Sequence, residues 1–407
     1  VMVTFRKFLN RKIILPLEAI SASNLRLKES DFNEFDVNIS EDTPLEIKEI
    51  VATRKEMLAA LFKVSEERLR LVNFIRDMFG RYLSKKVVDN ILESPEGQKI
   101  GGRRKTVTIL MSDIRGFTSL SETLDPEIMV QLLNRYLEQM SKIILYYDGI
   151  IDEIIGDAIL GVFGVPEKNE TDPERAVACA IAMQHALDDL NNTFIREGHP
   201  PFEMGIGINT GSVVVGNIGS EVRMKYAVVG SAVNNAARIE SNTVGGQVLI
   251  GESTYNLIKE LLTCEAPQAF VMKGVKRPLV AYSVIKIGPP YNLELNRRDV
   301  VEAGVPMNLA FSCWKVEDKK ISNRTQSGET LMLGENSITA SIVPPLIPFT
   351  DIKLVFDFCV EAHCFGDIYA KVLSVEESAG QTVHQLQITA IDQKDRGILD
   401  RWMKDAS

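Results

Sequence analysis

Two six-residue runs rich in aliphatic residues, Ile150–Ile155 and Ala158–Phe163, stand only Gly156-Asp157 apart. A two-residue connection permits an antiparallel hairpin, because a parallel crossover needs about a dozen residues or more. Amphipathic patterns flank the hairpin. Residues 126–147 read as a long helix before it, and Asp172-Pro173 opens another that runs to Leu190. Val107-Thr108-Ile109-Leu110-Met111 reads as a buried strand, and residues 204–208, 212–215 and 248–250 as three more. Hairpins mixed with helical crossovers predict an α+β sandwich.

The flanking segments read differently. Residues 12–62 hold two apolar stripes at helical spacing, Ile13, Ile14, Leu17, Ile20 and Leu25, then Leu45, Ile47, Ile50, Met57, Leu58 and Leu61. Thr43-Pro44 supplies a capping residue and a first-turn proline for the second helix. A helix pair this short cannot bury its stripes alone, which predicts association with a second copy. Residues 63–93 continue as helix until Glu93-Ser94-Pro95-Glu96-Gly97, and Gly101-Gly102-Arg103-Arg104 reads as a link. After Ile287-Gly288-Pro289-Pro290, short alternating runs over residues 297–392 predict a small β-barrel or sandwich.

Bulk properties remove some classes. A chain of 407 residues is long for one domain, and its net charge of −9 argues against a nucleic-acid partner. The five cysteines match no zinc or disulfide spacing, which predicts a reducing cytoplasm, and His363-Cys364 reads as part of a half-buried strand. No apolar run reaches membrane-span length. Val1-Met2-Val3-Thr4-Phe5 followed by Arg6-Lys7 fits either a cut just below a membrane helix or a boundary without meaning.

Three elements carry chemistry. In Met111-Ser112-Asp113-Ile114-Arg115-Gly116-Phe117-Thr118 a buried strand ends in an aspartate and turns sharply before a helix, exposing N–H groups to phosphate oxygens at Gly116, Phe117 and Thr118. The second element, residues 148–157, ends with Asp157 at the hairpin tip. If the hairpin lies beside the first strand, Asp113 and Asp157 converge. Two carboxylates beside a phosphate cradle suit two Mg2+ or Mn2+ ions, one acidifying a ribose 3′-hydroxyl and one supporting a leaving pyrophosphate. The third element, residues 226–238, opens a helix at Ser231 as N-cap, with Asn234 and Arg238 four apart on one face. The amide suits a ribose oxygen and the guanidinium suits charge on an α-phosphate.

Together, in this order, the elements resemble the catalytic core of class III adenylate/guanylate cyclases over residues 101–288. The resemblance implies a ferredoxin-like α+β core with Asp113, Asp157 and the Ile114 carbonyl on the metals, Asn234 on the ribose and Arg238 on the transition state. Lys273-Gly274-Val275-Lys276 resembles the family's late lysine motif, which implies a triphosphate contact from Lys276, with Lys273 second. It also implies a homodimer, with each site taking its aspartates from one chain and its Asn/Arg pair from the other. The base-reading positions fall on Glu153 and Ala227. An ionised glutamate accepts from guanine N1–H and the 2-amino group, so GTP is favoured over ATP, although Ala227 departs from both patterns.

Residues 1–62 resemble a HAMP relay through Pro16-Leu17-Glu18 and Pro44-Leu45-Glu46-Ile47, followed by a helical dimerisation linker over residues 63–100. This implies an upstream membrane sensor on the same full-length chain, at the cytoplasmic face of a bacterial inner membrane. Residues 289–407 faintly resemble a PilZ barrel, with Arg297-Arg298 at its arginine pair and residues 335–340 at its polar turn. Val301, Glu302, Glu335 and Ala340 depart from that motif, so a structural or partner-binding barrel is expected rather than a cyclic di-GMP receptor. The competing reading of the whole chain is a catalytically silent scaffold that dimerises and relays a signal.

Overall fold

A computed structural model describes residues 2–28, 37–79, 88, 99–270, 278–296, 304–317, 320–334, 336–360, 363–378 and 381–406. The chain divides into two units, Val1–Val88 and Asp89–Ser407.

In the first unit, α1 (Met2–Leu9) passes through a π-helical turn (Asn10–Ile14) into α2 (Leu15–Lys28), and α3 (Leu45–Phe79) follows. α3 starts at Leu45, so Pro44 takes the cap position expected of Thr43: the Pro44 carbonyl accepts from the Ile47 and Lys48 amides, and the buried Thr43 hydroxyl has no partner among the described residues. Arg54 ties the two long helices together by donating to Asn24 Oδ1 at 2.9 Å and Ser23 Oγ at 2.8 Å. Ile20 and Ile47 are buried, whereas Leu17, Leu25, Ile50, Met57 and Leu61 remain exposed. The expected end of this helix near residue 93 lies outside the described residues. No described helix is long and apolar enough to cross a membrane.

The second unit begins with β1 (Gly101–Ile114), α4 (Phe117–Thr123), α5 (Pro126–Tyr146), β2 (Ile150–Ile155), β3 (Ala158–Phe163), α6 (Asp172–Arg196) and β4 (Met204–Gly219). Then come β5 (Met224–Val229), α7 (Ser231–Ser241), β6 (Val248–Gly251), α8 (Glu252–Ile258), β7 (Leu262–Cys264), β8 (Gln268–Phe270), β9 (Leu279–Ile287) and β10 (Leu293–Glu294). The sheet runs β10-β9-β6-β4-β1-β3-β2, with β5 on β4, and β7 and β8 on β9. Asp125 caps α5, accepting from the Glu127 amide at 2.9 Å, which contributes about 1 kcal/mol. Met129, Leu132, Tyr136, Met140 and Ile144 form its buried stripe, each contributing about 1.5–3 kcal/mol by burial.

β4 shows how the sheet gets two different faces. Met204, Ile206 and Ile208 join the core under α5 and α6, while Gly205 and Gly207 alternate onto the other face. There α7 lies flush on the strand: a Cβ on Gly207 would meet the Glu240 amide nitrogen at 2.3 Å. On β1, Leu110 and Ile114 face the same helical core, so Asp113 falls on the α7 side.

Several expectations need correction. Gly101-Gly102-Arg103-Arg104 is strand rather than link, since β4 is long enough to pair every residue of it. Residues 204–208 and 212–215 are one strand. Asn209, Thr210 and Gly211 have turn-like composition but pair with Ile109, Thr108 and Val107, and Thr210 Oγ1 meets Thr108 Oγ1 at 2.9 Å. α6 runs past Leu190 to Arg196, where Gly198 in the left-handed region (φ 82°) follows its end.

The remainder holds β11 (Val305–Pro306), β12 (Ala310–Glu317), β13 (Lys320–Leu333), β14 (Ser337–Val343), β15 (Asp351–Phe356), β16 (Cys359–Val360), β17 (His363–Cys364), β18 (Ile368–Ser378), β19 (Gln381–Ala390) and α9 (Gln393–Ala406). Pairing in the order β13-β12-β15-β18-β19-β14, with β14 returning to β13, closes a six-stranded barrel. Alternate residues fill it, among them Phe311, Cys313, Ile352, Leu354, Ile368 and Leu386. The unanticipated α9 packs Trp402 on Phe358, with ring centroids 5.7 Å apart. The expected polar turn at residues 335–340 is mostly β14, with Ile338 and Ala340 buried. Glu335, Arg297, Arg298, Val301 and Glu302 lie outside the described residues. The expectation of no disulfide is overturned: pairing of β16 with β17 sets Cys359 opposite Cys364, and the two are bonded.

Candidate active site

The register of β1 against β3 decides where the hairpin tip falls. Ser112 pairs with Ile159 in an antiparallel ladder, so two residues further Asp157 arrives beside Ile114. Gly156 holds the left-handed turn (φ 66°) that makes this tip, and the Ile114 amide donates to Asp157 Oδ2 at 3.1 Å. The Asp113 carboxyl stands close enough to that of Asp157 to act on it directly. Burial, then the Asp113 hydrogen bond and charge, push the Asp157 carboxyl up to about 7. Two carboxylates this strongly coupled favour a shared proton or a cation between them.

That donor set fits a divalent metal. No cluster of three or more His, Cys, Asp or Glu side chains that could hold a metal occurs among the described residues. The remaining ligands would therefore be backbone and substrate oxygens, as is usual where phosphates share Mg2+ with one or two carboxylates. The turn after β1 supports the phosphate reading in part. Gly116 is left-handed (φ 67°) and starts α4, with Phe117 half-buried against the core and Thr118 exposed.

α7 carries the Asn/Arg pair. Its N-cap is Gly230 rather than Ser231, because a Cβ at Gly230 would meet Ser212 O and Val213 at 3.1 Å. Ala232, Ala236, Ile239 and Glu240 are buried, which leaves Asn234 and Arg238 on the exposed side as a pair. No hydrogen bond among the described residues joins either of them to Asp113 or Asp157.

Glu153 and Ala227 lie on β2 and β5, which contact each other. Lys225 Nζ stands 3.0 Å from Glu153 Oε2 and 3.6 Å from Asp152 Oδ2. The Asp152 side chain is nearly buried, and burial raises its carboxyl above the usual range. Sequence reasoning missed Lys225 and Asp152. A signal existed, since both stand within two residues of Glu153 or Ala227. Lys273 and Lys276 lie outside the described residues.

Arg115, two residues beyond Asp113, is a second omission. Its side chain is 14% exposed, pairs with the Glu240 carboxylate and donates to Glu240 O at 3.2 Å and Thr243 Oγ1 at 3.1 Å. Gly205 leaves the room for it, since a Cβ there would clash with both Arg115 and Thr243.

Comparisons with known proteins identify the family. Residues 101–286 match the family described as the adenylate and guanylate cyclase catalytic domain. Adenylate cyclase 1 of Rhizobium meliloti is 29% identical over 276 residues, 67% of this chain and 38% of the relative. An adenylate cyclase of Anabaena cylindrica is 35% identical over 240 residues, 57% of this chain and 45% of the relative. The chain thus spans less than half the length of either. The crystal structure of the guanylyl cyclase Cya2 is similar at 49% identity with a TM-score of 0.47, over 48% of this chain and 100% of that one. The chain belongs to the class III adenylate/guanylate cyclase family, and residues 101–286 are its catalytic domain.

Proposed function

We propose that the protein converts a purine nucleoside triphosphate into its 3′,5′-cyclic monophosphate and pyrophosphate. The contact of Asp113 with Asp157 beside the Ile114 amide supports this most. The reaction joins the ribose 3′-oxygen to the α-phosphorus, breaks the bond from that phosphorus to the β-phosphate's bridging oxygen, and releases the hydroxyl proton. Asp113, Asp157 and the Ile114 carbonyl would hold two Mg2+ or Mn2+ ions. When bound, such ions acidify the 3′-hydroxyl and neutralise the leaving pyrophosphate. Asn234 orients the ribose and Arg238 meets the charge that builds on the α-phosphate. The turn at Gly116, Phe117 and Thr118 supplies amides to the phosphates, and Lys276 or Lys273 a triphosphate contact.

Because Asn234 and Arg238 stand exposed on α7, they reach a triphosphate held by a second chain. The site is therefore composite, in a homodimer with two sites. Exposed Ile154 and Ile155 on β2 and Met224 and Val229 on β5 offer apolar surface for that contact. The unpartnered stripes of α2 and α3 support pairing with the same second copy, as in a HAMP relay. Arg6, Lys7, Arg11 and Lys12 beside exposed Phe5 and Phe8 support a position at the cytoplasmic face of a membrane, below a sensor. The sheet order β4-β1-β3-β2, with α5 and α6 as crossovers, supports the ferredoxin-like reading.

The metal assignment has a readout independent of turnover. A carboxyl raised from 3.8 to about 7 contributes stability that is fully present below pH 3.8 and is lost as pH rises through about 7. Mn2+ should therefore raise Tm by several degrees at about pH 7.5 and little at about pH 5. Asp113→Ala should remove that response. A Tm indifferent to Mn2+ at both pH values takes the cation out of the account.

For the base, GTP is the favoured substrate. The Glu153 carboxylate accepts from guanine, whereas adenine N1 would face it lone pair to lone pair. The names of the two adenylate cyclase relatives favour ATP as the second reading. Glu153→Lys should shift the GTP/ATP ratio of kcat/KM toward ATP by about ten- to a hundredfold. An unchanged ratio removes Glu153 from base selection. The activity is tested by incubating the protein with Mn2+ and ATP or GTP and identifying the product by mass. No cyclic product from either nucleotide leaves only the silent, dimerising scaffold.

A further inference from the structure

The barrel and the cyclase domain meet at the end of α7. Phe349, just before β15, packs edge-on against Phe270 of β8 with centroids 4.6 Å apart, joining the cluster of Ile239, Leu249 and Ala281. Beside this apolar contact, Lys371 of β18 crosses between the domains. Its Nζ donates to Ser241 O at 2.6 Å and lies 3.4 Å from Thr243 O and 3.5 Å from Asp351 Oδ1. The Lys371 side chain is 3% exposed, while that of Asp351 is half exposed.

A cation rarely sits this deep against carbonyls without purpose, because desolvating an ammonium costs several kcal/mol. Here the carbonyls are those of a helix end. The last carbonyls of a helix lack intrahelical partners and carry the negative end of its dipole, so a cation fixes them well. Arg115 holds the same end as well, through Glu240 and Thr243. Ser241 stands three residues after Arg238, and its Oγ donates to Arg238 O at 2.9 Å. Arg115 stands two residues after Asp113. The end of α7 is therefore clamped between the carboxylate end of β1 and the barrel.

We propose that Lys371 is a positioning residue for the cyclisation, by which the C-terminal barrel sets where Arg238 stands relative to its own chain's Asp113 strand. The barrel is thus part of the catalytic scaffold and a route by which an event on the barrel reaches turnover. The inference rests on the cyclase reading, and the experiment separates the two.

The full-length chain is assayed with Mn2+ and nucleotide as wild type, Lys371→Met and Lys371→Arg, with kcat counted per folded dimer. Lys371→Met should lower kcat about tenfold or more and change KM less than about threefold, because misplaced alignment acts in the transition state. Lys371→Arg, which keeps a buried cation at the carbonyls, should recover most of that loss. Amide hydrogen exchange over residues 236–243 should quicken in Lys371→Met and stay near wild type in Lys371→Arg. If Lys371→Met does not fold, Lys371→Gln, which keeps a donor and loses the charge, takes its place under the same criteria. A kcat within about twofold of wild type in the neutral variant overturns the proposal, as does a loss that Lys371→Arg repairs without any change in exchange. An inactive wild type strikes the cyclase reading, whereas an active wild type with indifferent Lys371 variants strikes this inference alone.

Discussion

Asp113→Ala will lower kcat by about three orders of magnitude or more and leave the protein folded and dimeric. The side chain is half-buried at the end of β1, on the α7 side of the sheet, and its carboxyl acts directly on that of Asp157. Removing it deletes half of the charge that could hold divalent cations, while Asp157 keeps its bond from the Ile114 amide. The strand itself should not loosen, because β1 is paired on both sides. Stability points the same way. Asp113 is among the causes that raise the Asp157 carboxyl, so its loss relieves a repulsion in the metal-free protein at neutral pH. Turnover and Tm should therefore part company: activity collapses while Tm holds or rises. A fall in both would mean that Asp113 is structural.

Arg238→Ala will lower kcat by about two to three orders of magnitude and alter KM for the nucleotide only a few-fold. In the proposed reaction the guanidinium meets charge that develops only as the phosphorus is attacked, so its loss falls on the transition state. Arg238 lies on the exposed face of α7, opposite the buried Ala232, Ala236 and Ile239, so its truncation leaves no cavity. Arg238→Lys should recover little, since an ammonium cannot reproduce a planar two-point contact. A variant that raises KM and spares kcat would assign Arg238 to ground-state binding instead.

The parts of this fold that were legible in the sequence are those governed by local rules. The hairpin at Gly156-Asp157 could be read because a two-residue turn leaves one geometry, and the strand bounds on either side match the structure. The meeting of Asp113 with Asp157 was legible as a condition on strand order, and the β1–β3 register meets it. The long strand β4 was not legible, since Asn209-Thr210-Gly211 has the composition of a turn and only its partner β1 makes it strand. Nor was the clamp on α7. Arg115 reaches Glu240 and Lys371 reaches Ser241 across 125 and 130 residues of sequence, where no periodicity signals a contact. Lys225 was overlooked because a lysine on a strand normally reads as a solvated face, and its two carboxylate partners sit in a different hairpin.

The central claim is that each site takes its carboxylates from one chain and its Asn/Arg pair from another. Mixing equal amounts of Asp113→Ala and Arg238→Ala chains, after dissociation and reassociation, tests it most directly. Each mixed dimer would hold one intact set and one doubly damaged set, so turnover should return to about a quarter of wild type from two nearly inactive preparations. If mixed dimers form and turnover stays at the level of the separate variants, the two half-sites do not meet across a subunit boundary, and the account fails.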